Sequence, residues 1–271
     1  MNTTALPFAQ VLEELRRSSP LVLSLTNSVA QSITANMLLA VGAAPVMLRD
    51  TEEIAQLLPA ACGGLLINVG TLSREQAAAQ RHAVACARAA GIPWVLDPVA
   101  VGFLRFRTDF CRELLELQPT LIRGNASEIR ALAGESSGGR GPESTEESTA
   151  ALQAACSLAL RSGAVVLVTG ATDYVTDGTR TMALGNGDPL MTRVTAVGCA
   201  MGALCAACIA SAPDAFTGAA ASAAILGIAG ENAAARHPLP GSFAAALLDE
   251  LAALTPSTVV QQTRILTPEG N

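Results

Sequence analysis

Residues 194–202 read Val194-Thr195-Ala196-Val197-Gly198-Cys199-Ala200-Met201-Gly202, and they join a strand-rich part of the chain to an Ala/Gly-rich helical end. The pattern predicts a turn that opens directly onto a long helix. A helix start leaves backbone N–H groups unpaired and carries a partial positive charge, so it can seat an anion such as phosphate. The same charge favours the thiolate form of a cysteine placed there. Cys199 is therefore either an inert buried thiol at a helix start or a reactive thiol beside a bound anion.

Upstream of this run, short apolar segments alternate with amphipathic segments, which predicts strands alternating with helices. The predicted strands are Leu21–Leu25, Pro45–Leu48, Leu65–Asn68, Trp94–Asp97, Thr120–Arg123 and Val165–Thr169. The predicted helices between them are Val29–Val41, Glu52–Leu58, Arg74–Ala89, Asp109–Leu117 and Ala126–Ala133. Because the strands are apolar throughout, we expect a mostly parallel central sheet with helices on both faces, a three-layer α/β/α fold.

The remaining segments complete the predicted fold. Glu135–Thr149 is rich in Gly, Ser and Glu and predicts an exposed loop, and the Asp177-Gly178 turn predicts an antiparallel hairpin. The hairpin strands are Asp173–Val175 and Arg180–Leu184, and the further predicted helices are Ala150–Ser162, Cys199–Ser211, Phe216–Ala235 and Ser242–Leu254. Since no linker separates two cores, residues 1–271 are predicted to form a single domain.

Composition narrows the function classes. The 271-residue chain has a net charge of −6, which argues against a nucleic-acid-binding surface. All 17 of its basic residues are arginine, which excludes a Walker-type or Schiff-base lysine. Seven scattered cysteines with only two histidines indicate reduced thiols and not a zinc site. The absence of a recognisable signal peptide in Met1–Gln10, and of an apolar run long enough to span a membrane, predicts a cytoplasmic protein without membrane contact.

Polar residues follow the predicted strands at the carboxyl edge of the sheet, where open parallel sheets bind ligands. Asp97 ends the fourth strand, and its carboxylate either holds Mg²⁺ or belongs to an ordinary Asp-Pro turn. Thr169 ends the sixth strand, and its hydroxyl either contacts a phosphate or forms part of a turn. Asn27 and Met47 lie at the carboxyl ends of neighbouring strands, where they can line a small apolar pocket. The alternative for Met47 is that it fills the core.

Residues 123–128, Arg-Gly-Asn-Ala-Ser-Glu, hold a more specific pattern. Asn125 is placed to cap the next helix, and Glu128 falls at its third position on the same face. Glu128 either completes a capping box or orients metal-bound water beside nucleotide phosphates, and the spacing leaves both interpretations open. Arg123 has the forked guanidinium that matches phosphate oxygens. Together these parts predict phosphoryl transfer without a Walker motif, with the acceptor hydroxyl near Cys199.

These residues resemble the hydroxyethylthiazole kinase family, a branch of the ribokinase-like kinases, from Leu23 to about Leu254. Arg-Gly-Asn-Ala-x-Glu-Ile at 123–129, together with the glycine-cysteine helix start, is the most specific part of the resemblance. The other segments that carry it are Thr26-Asn27, Thr34-Ala35-Asn36, 42–47, 68–72, 96–99, 168–170, Ala229-Gly230-Glu231 and Pro240-Gly241-Ser242-Phe243.

The resemblance implies ATP- and Mg²⁺-dependent phosphorylation of the primary alcohol of 4-methyl-5-(2-hydroxyethyl)thiazole, a step of thiamine salvage, by a homotrimer with sites between subunits. Cys199 takes the place of the aspartate base of most ribokinase-like enzymes. The remaining implied roles are substrate binding by Met47, Asn27, Gly70 and Ala196, ATP binding by Arg123, Thr169 and Gly198, and metal binding by Asp97 and Glu128. We expect the transferring phosphoryl group to lie over the Gly198–Ala200 amides.

The chain departs from the family pattern where the common Gly-Thr-Gly-Cys turn becomes Ala196-Val197-Gly198-Cys199. The loss of the first glycine matters if the backbone needs a positive φ there. Two other functions stay open on sequence grounds. One is a lyase that repairs hydrated nicotinamide cofactors with ATP or ADP, although such an enzyme has an aspartate where Cys199 stands. The other is a non-catalytic binder of thiamine precursors derived from a kinase.

Overall fold

Six parallel strands form the centre of the computed structural model, which describes residues 3–135 and 145–266. They are β1 (Leu21–Leu25), β2 (Ala44–Val46), β3 (Cys62–Asn68), β4 (Trp94–Asp97), β5 (Leu121–Asn125) and β6 (Val165–Thr169). Three antiparallel strands extend one edge: β7 (Asp173–Thr176), β8 (Thr181–Leu184) and β9 (Ile265–Leu266). The order across the sheet is β2-β1-β3-β4-β5-β6-β7-β8-β9. Since the order reverses at β1, a crevice for ligands is expected at the carboxyl ends of β1 and β3.

Helices cover both faces of the sheet, and each face has its own apolar core. One face carries α3 (Thr51–Ala61), α4 (Arg74–Ala90), α5 (Arg105–Leu115), α6 (Ala126–Ala133) and α7 (Thr145–Ser162). The other face carries α1 (Leu6–Ser18), α2 (Gln31–Val41), α8 (Val197–Ala210), α9 (Ala215–Arg236), α10 (Pro240–Ala253) and α11 (Pro256–Gln262). Two short 3₁₀ helices, Thr3–Ala5 and Pro189–Arg193, precede α1 and α8.

Helix α8 lies directly on β3 because small residues let the two backbones approach closely. A Cβ added at Gly64 of β3 would lie 2.8 Å from the carbonyl oxygen of Ala206, and one at Gly202 would lie 2.8 Å from Leu66. The helix is apolar on all sides, as expected of a helix buried within a protein. This packing places the start of α8 over the carboxyl ends of the central strands.

The structure confirms the predicted α/β fold and the antiparallel hairpin, with some shifted boundaries. Strand β3 begins at Cys62, three residues before the prediction, and β5 continues to Asn125 because it pairs with Thr169 of β6. Helix α8 begins at Val197, and α7 begins at Thr145. Residues 145–149, predicted as loop, are therefore helical, while 136–144 of that predicted loop lie outside the described residues. Helices α1 and α11 and strand β9 were not predicted.

No single helix within 3–135 or 145–266 is long and apolar enough to span a membrane. The pair α10 and α11, which meet at 111°, passes the same test of length and composition when taken together.

Candidate active site

A chain of hydrogen bonds links Cys199 to Asp97 across the ends of three strands. Asn27 Nδ2 donates to Cys199 Sγ at 3.3 Å and to Asn68 Oδ1 at 2.9 Å, and Asn68 Nδ2 donates to Asp97 Oδ2 at 2.6 Å. The Asn27 amide has a fixed orientation because its Oδ1 accepts from the Val29 and Ala30 amides. The thiol at the start of α8 and the carboxylate at the end of β4 therefore belong to one connected group.

The hydrogen bonds between Asn27 and Asn68 require a residue without a side chain at position 70. The Gly70 amide donates to Asn68 Oδ1 at 2.9 Å, and a Cβ at this position would lie 2.7 Å from Asn27 Nδ2. Since any larger residue would displace the Asn27 amide, Gly70 keeps the link between Asn68 and Cys199 intact. Sequence reasoning assigned roles to Asn27 and Gly70 but none to Asn68, although Asn68 joins the two ends of the chain.

The turn before Cys199 is built on a left-handed residue. Ala196 is the N-cap of α8 and has φ 66° and ψ 9°, a conformation that glycine adopts without penalty and alanine does not. The positive φ is thus required in this turn, and the alanine adopts it under strain. The Ala200 amide donates to Ala196 O at 2.9 Å, so it is not free to bind a phosphate as expected. The amides of the first turn, at Val197, Gly198 and Cys199, precede this first helical hydrogen bond.

The Cys199 thiol is neutral at physiological pH. Burial raises its pKa, and the Asp97 carboxylate raises it further; the Asn68 and Asn27 amides and Arg123 offset only part of this effect. The thiolate form that the helix start favours is therefore not the form that this environment stabilises. The physical reason is that desolvation, together with a nearby negative charge, outweighs the partial charge of the helix end.

Arg123 lies beneath the same turn. Its Nη2 donates to Thr169 Oγ1 at 2.8 Å, and its Nη1 lies 3.8 Å from Asp97 Oδ1. A Cβ at Gly198 would lie 3.2 Å from Arg123 Nη2, so the glycine lets the guanidinium approach the α8 start. Arg123 Nε and Asp97 Oδ1 are both buried without a hydrogen-bond partner. These unpaired atoms leave a donor and an acceptor for a ligand.

Asp97 is completely buried, and its burial raises the pKa of the carboxyl to about 7. Arg123 and the Asn68 amide lower this pKa, while Glu128 raises it, so the value reflects a balance of opposing charges. A carboxyl with a pKa near neutrality at a sheet edge is a feature of functional sites.

Glu128 forms the capping box that the sequence allowed. Its Oε2 accepts from the Asn125 amide at 2.9 Å, and Asn125 Oδ1 accepts from the Glu128 amide at 3.0 Å. Its Oε1 accepts from the Ala100 amide at 2.9 Å, and Ala100 has a left-handed φ of 59°. The capping interpretation therefore describes the geometry, while the charge of Glu128 still acts on Asp97.

The donors at this edge fit a hard cation. Mg²⁺ prefers oxygen ligands and is commonly held by one or two carboxylates plus phosphates and water. Asp97 Oδ1 is a carboxylate oxygen without a hydrogen-bond partner, and Glu128 adds a second negative charge. In the part of the chain that the structure describes, no group of three or more His, Cys, Asp or Glu side chains is placed to hold a metal by itself. A cation here would therefore depend on oxygens from a bound phosphate or water.

Met47 lies beside a cavity of about 580 Å³ at the point where the strand order reverses. Ser24 Oγ, Thr26 Oγ1 and Gln80 Oε1, from residues that line this cavity, are buried and have no hydrogen-bond partner. Gln80 Nε2 donates to the carbonyl oxygens of Asn68 and Leu25, so its amide oxygen is free to accept. Asn27 and Gly70 adjoin the lining residues Thr26 and Thr71 in the chain. Sequence reasoning missed Gln80, whose only signal is a polar residue on an alanine-rich buried helix face.

Comparison with known proteins decides the family. Residues 12–257 match the model of the "Hydroxyethylthiazole kinase family". The chain belongs to the hydroxyethylthiazole kinase family. A hydroxyethylthiazole kinase of Akkermansia muciniphila is 56% identical over 255 residues, which cover 94% of each chain. The solved structure of the Pyrococcus horikoshii family member superposes with a TM-score of 0.89 at 34% identity, covering 96% of this chain and 98% of that one.

The wider fold agrees with this membership. A ribokinase-like superfamily protein from Enterococcus faecalis has a TM-score of 0.65 at 12% identity, covering 92% of this chain and 95% of that one. At this level of identity the likeness shows the fold alone, which is the ribokinase-like fold predicted from the sequence.

Proposed function

We propose that this protein phosphorylates the primary hydroxyl of 4-methyl-5-(2-hydroxyethyl)thiazole with ATP, as a step of thiamine biosynthesis. Its membership of the family and the names of its relatives support this function. The observation that carries the proposal is the hydrogen-bonded chain from Cys199 through Asn27 and Asn68 to Asp97. This chain connects the helix start, suited to an acceptor hydroxyl and a phosphate, with the carboxylate suited to a cation.

The acceptor lies, in this proposal, between Cys199 and the cavity at the β1–β3 crossover. Met47 contacts the ring, Asn27 and Gly70 shape the approach to the sulfur, and Ala196 contributes its backbone. The support is that Met47 lines the cavity and that Asn27 bonds the sulfur. Holding the hydroxyl in one orientation removes much of the entropic cost of the transfer.

The nucleotide phosphates bind, we infer, between Arg123 and the start of α8. Of the five guanidinium N–H groups, one donates to Thr169, and the unpaired Nε leaves a donor for phosphate oxygens. Thr169 and Gly198 complete this subsite. The amides of Val197, Gly198 and Cys199 point from the helix start and stabilise negative charge on the transferring group.

Asp97 and Glu128 are the proposed residues for Mg²⁺. When bound, this cation neutralises charge on the phosphates. The charges of Asp97, Glu128 and Asp173 all act on Arg123, so a single guanidinium group faces three carboxylates. An excess of negative charge around a phosphate subsite repels a bare triphosphate, which predicts a strict requirement for a divalent cation.

Cys199 touches the reacting hydroxyl in this proposal. Because its pKa is raised, the neutral thiol accepts from Asn27 and orients the hydroxyl, and proton removal contributes little to the rate. Phosphoryl transfer has a loose transition state in which the nucleophile needs little activation. This agrees with a cysteine standing where related enzymes have an aspartate.

The homotrimer, the cytoplasmic location and the single-domain organisation of residues 1–271 stay predictions. All nine described strands belong to one sheet, which supports the single domain. Light scattering of the purified protein would test the trimer, for which we expect about three times the mass of the 27.6 kDa chain.

A phosphate-transfer screen tests the function. The purified protein is incubated with ATP and one of three alcohols: the thiazole alcohol, pyridoxal or a hydroxymethylpyrimidine, with and without Mg²⁺. We expect ADP and a phosphorylated thiazole in equal amounts, with Mg²⁺ only. Thiazole binding without ADP formation would support the non-catalytic binder. ATP or ADP consumption with a hydrated nicotinamide cofactor, and none with the alcohols, would support the lyase.

A further inference from the structure

Asp173 is a buried carboxylate to which the proposed reaction assigns no contact with substrate or cation. It is the first residue of β7 and is 9% exposed, although it follows an ordinary hairpin turn. Its Oδ1 accepts from the Gly170 amide at 3.0 Å, which closes the turn between β6 and β7. The sequence marked Asp173 only as the start of a strand.

The turn that Asp173 closes carries the proposed nucleotide contact. Thr169 immediately precedes Gly170, and its hydroxyl accepts from Arg123 Nη2 at 2.8 Å and lies 3.4 Å from the Gly124 carbonyl oxygen. A change in the position of Gly170 would move Thr169 and, with it, the guanidinium that it holds. The Gly170 amide thus connects Asp173 to Arg123 through a single residue.

Asp173 also acts on Arg123 through its charge. The carboxylates of Asp97, Glu128 and Asp173 all favour the charged guanidinium, which is buried on β5. Burial raises the pKa of Asp173 to about 6, with the Gly170 amide and Arg123 opposing the rise, so the group is largely ionised at pH 7.5. Cys205 on α8 also faces this charge and is neutral, because burial raises its pKa to about 12.

We propose that Asp173 is a positioning residue for the nucleotide: its carboxylate fixes the Thr169–Gly170 turn and thereby holds Arg123 in the orientation that receives the phosphates. The inference rests on the proposed function for the identity of the nucleotide subsite. A burial of this extent is unnecessary for a hairpin, since the neighbouring β7–β8 turn is closed by an aspartate that is only partly buried.

That neighbour, Asp177, provides a matched control. Its Oδ1 accepts from the Thr179 and Arg180 amides at 2.9 Å each, so it closes a hairpin turn by the same kind of bond. It does not act on Arg123, on which the carboxylates of Asp97, Glu128 and Asp173 act. Asp177 Oδ2 also accepts from Arg180 Nε at 2.7 Å, so substitutions at Asp177 report the cost of its turn bonds and of this ion pair, without an effect on Arg123.

The test compares Asp173→Asn, Asp173→Ala, Asp177→Asn and Asp177→Ala for MgATP binding by calorimetry, for the KM of ATP and of the acceptor, and for Tm. Losing a hydrogen bond to a charged group changes an equilibrium constant by a factor of roughly ten or more. We expect Asp173→Ala to weaken ATP binding and raise the KM of ATP by about that factor, with the acceptor KM unchanged. Asp173→Asn, which keeps the shape, should lie between Asp173→Ala and the wild type.

The two Asp177 variants should lower Tm without changing ATP binding. If the Asp173 variants likewise lower only Tm, or change the KM of both substrates equally, the positioning role is overturned. A direct measurement of MgATP binding distinguishes a failure of this inference from a failure of the proposed function. A wild-type protein that binds MgATP but leaves the thiazole alcohol unmodified would overturn the proposed function, while an ATP-specific loss at Asp173 would still support this inference. A wild-type protein that binds no MgATP would overturn both.

Discussion

Asn68 Nδ2 donates to Asp97 Oδ2 at 2.6 Å, and this buried bond stabilises the charged form of the carboxyl against its desolvation. The two residues pair in adjacent strands, β3 and β4, at their last positions. The bond therefore requires the parallel register of the sheet and transmits the position of Asn27 and Cys199 to the proposed cation site.

Asn68→Ala should shift the acidic limb of the kcat profile to higher pH. The Asn68 amide lowers the pKa of Asp97, so its removal raises that pKa beyond its present value of about 7 and leaves less ionised carboxylate at neutral pH. We also expect kcat to fall roughly 10- to 100-fold, because the hydroxyl and the phosphates lose their alignment. Asn186→Ala is the control, since Asn186 is also buried and donates to Gln262 O instead. An unshifted pH limb in Asn68→Ala would contradict the link.

Asp97 should make the folded protein less stable as pH rises towards neutrality. Its pKa is raised from 3.8 in the unfolded chain to about 7 in the fold, so its stabilising contribution is complete below pH 3.8 and is lost as pH rises through about 7. Denaturant unfolding of the wild type and Asp97→Asn between pH 5 and 8 measures this. The difference in unfolding free energy between the two proteins should change in favour of Asp97→Asn with rising pH. A constant difference would show that Asp97 does not titrate in this range.

Cys199→Asp should keep or raise turnover, and Cys199→Ala should lower it. The loose transition state limits the benefit of a base, so we expect the alanine variant to lose less than about 100-fold, the low end for general-base catalysis. Steady-state kcat with both substrates saturating is the measurement, and circular dichroism checks the fold. An inactive but folded Cys199→Asp protein would falsify the proposed contact between this side chain and the acceptor hydroxyl.

Ala196→Gly should stabilise the protein by about 1 kcal/mol, since a left-handed conformation costs a non-glycine residue roughly that amount. Ala196 has φ 66°, which glycine adopts freely. The matched control is Ala78→Gly on the exposed face of α4, where the same change should destabilise by about 1 kcal/mol. Urea unfolding of both variants measures the two effects. Destabilisation by Ala196→Gly would mean that the turn relaxes away from the left-handed geometry.

Glu128→Gln should lower kcat and raise the Mg²⁺ concentration needed for half-maximal rate, by roughly 10- to 100-fold, as is typical for groups around a metal. Both carboxylate oxygens accept backbone amides, so a cap is also weakened. Asn125→Ala separates the two effects, because it removes the cap from the Glu128 amide at a cost of about 1 kcal/mol and leaves the charge. If Glu128→Gln and Asn125→Ala change only Tm, Glu128 is a capping residue and not part of a metal site.

Local patterns determined most of the secondary structure. Trp94–Asp97, Val165–Thr169 and Ala126–Ala133 have the bounds that were predicted, because an apolar run or a capped helix start is contained in a few adjacent residues. Helix α1 was missed although Phe8, Leu12 and Leu15 form an apolar face. Strand β9 has two residues and exists only because β8 offers it an edge, so no local signal identifies it.

The sequence by itself determined the family, the polar residues at the strand ends and the helix start at Cys199, since each depends on residues that are neighbours in the chain. Only the tertiary structure decided that Asn27, Asn68 and Asp97 form one hydrogen-bonded chain and that Asp173 faces Arg123. It also decided the protonation of Cys199, because a pKa depends on burial and on charges from β4 and β5 that the local sequence does not contain. The spacing of residues along the sequence places a side chain at an edge of the sheet. Its solvent exposure and its contacts are determined by residues distant in sequence.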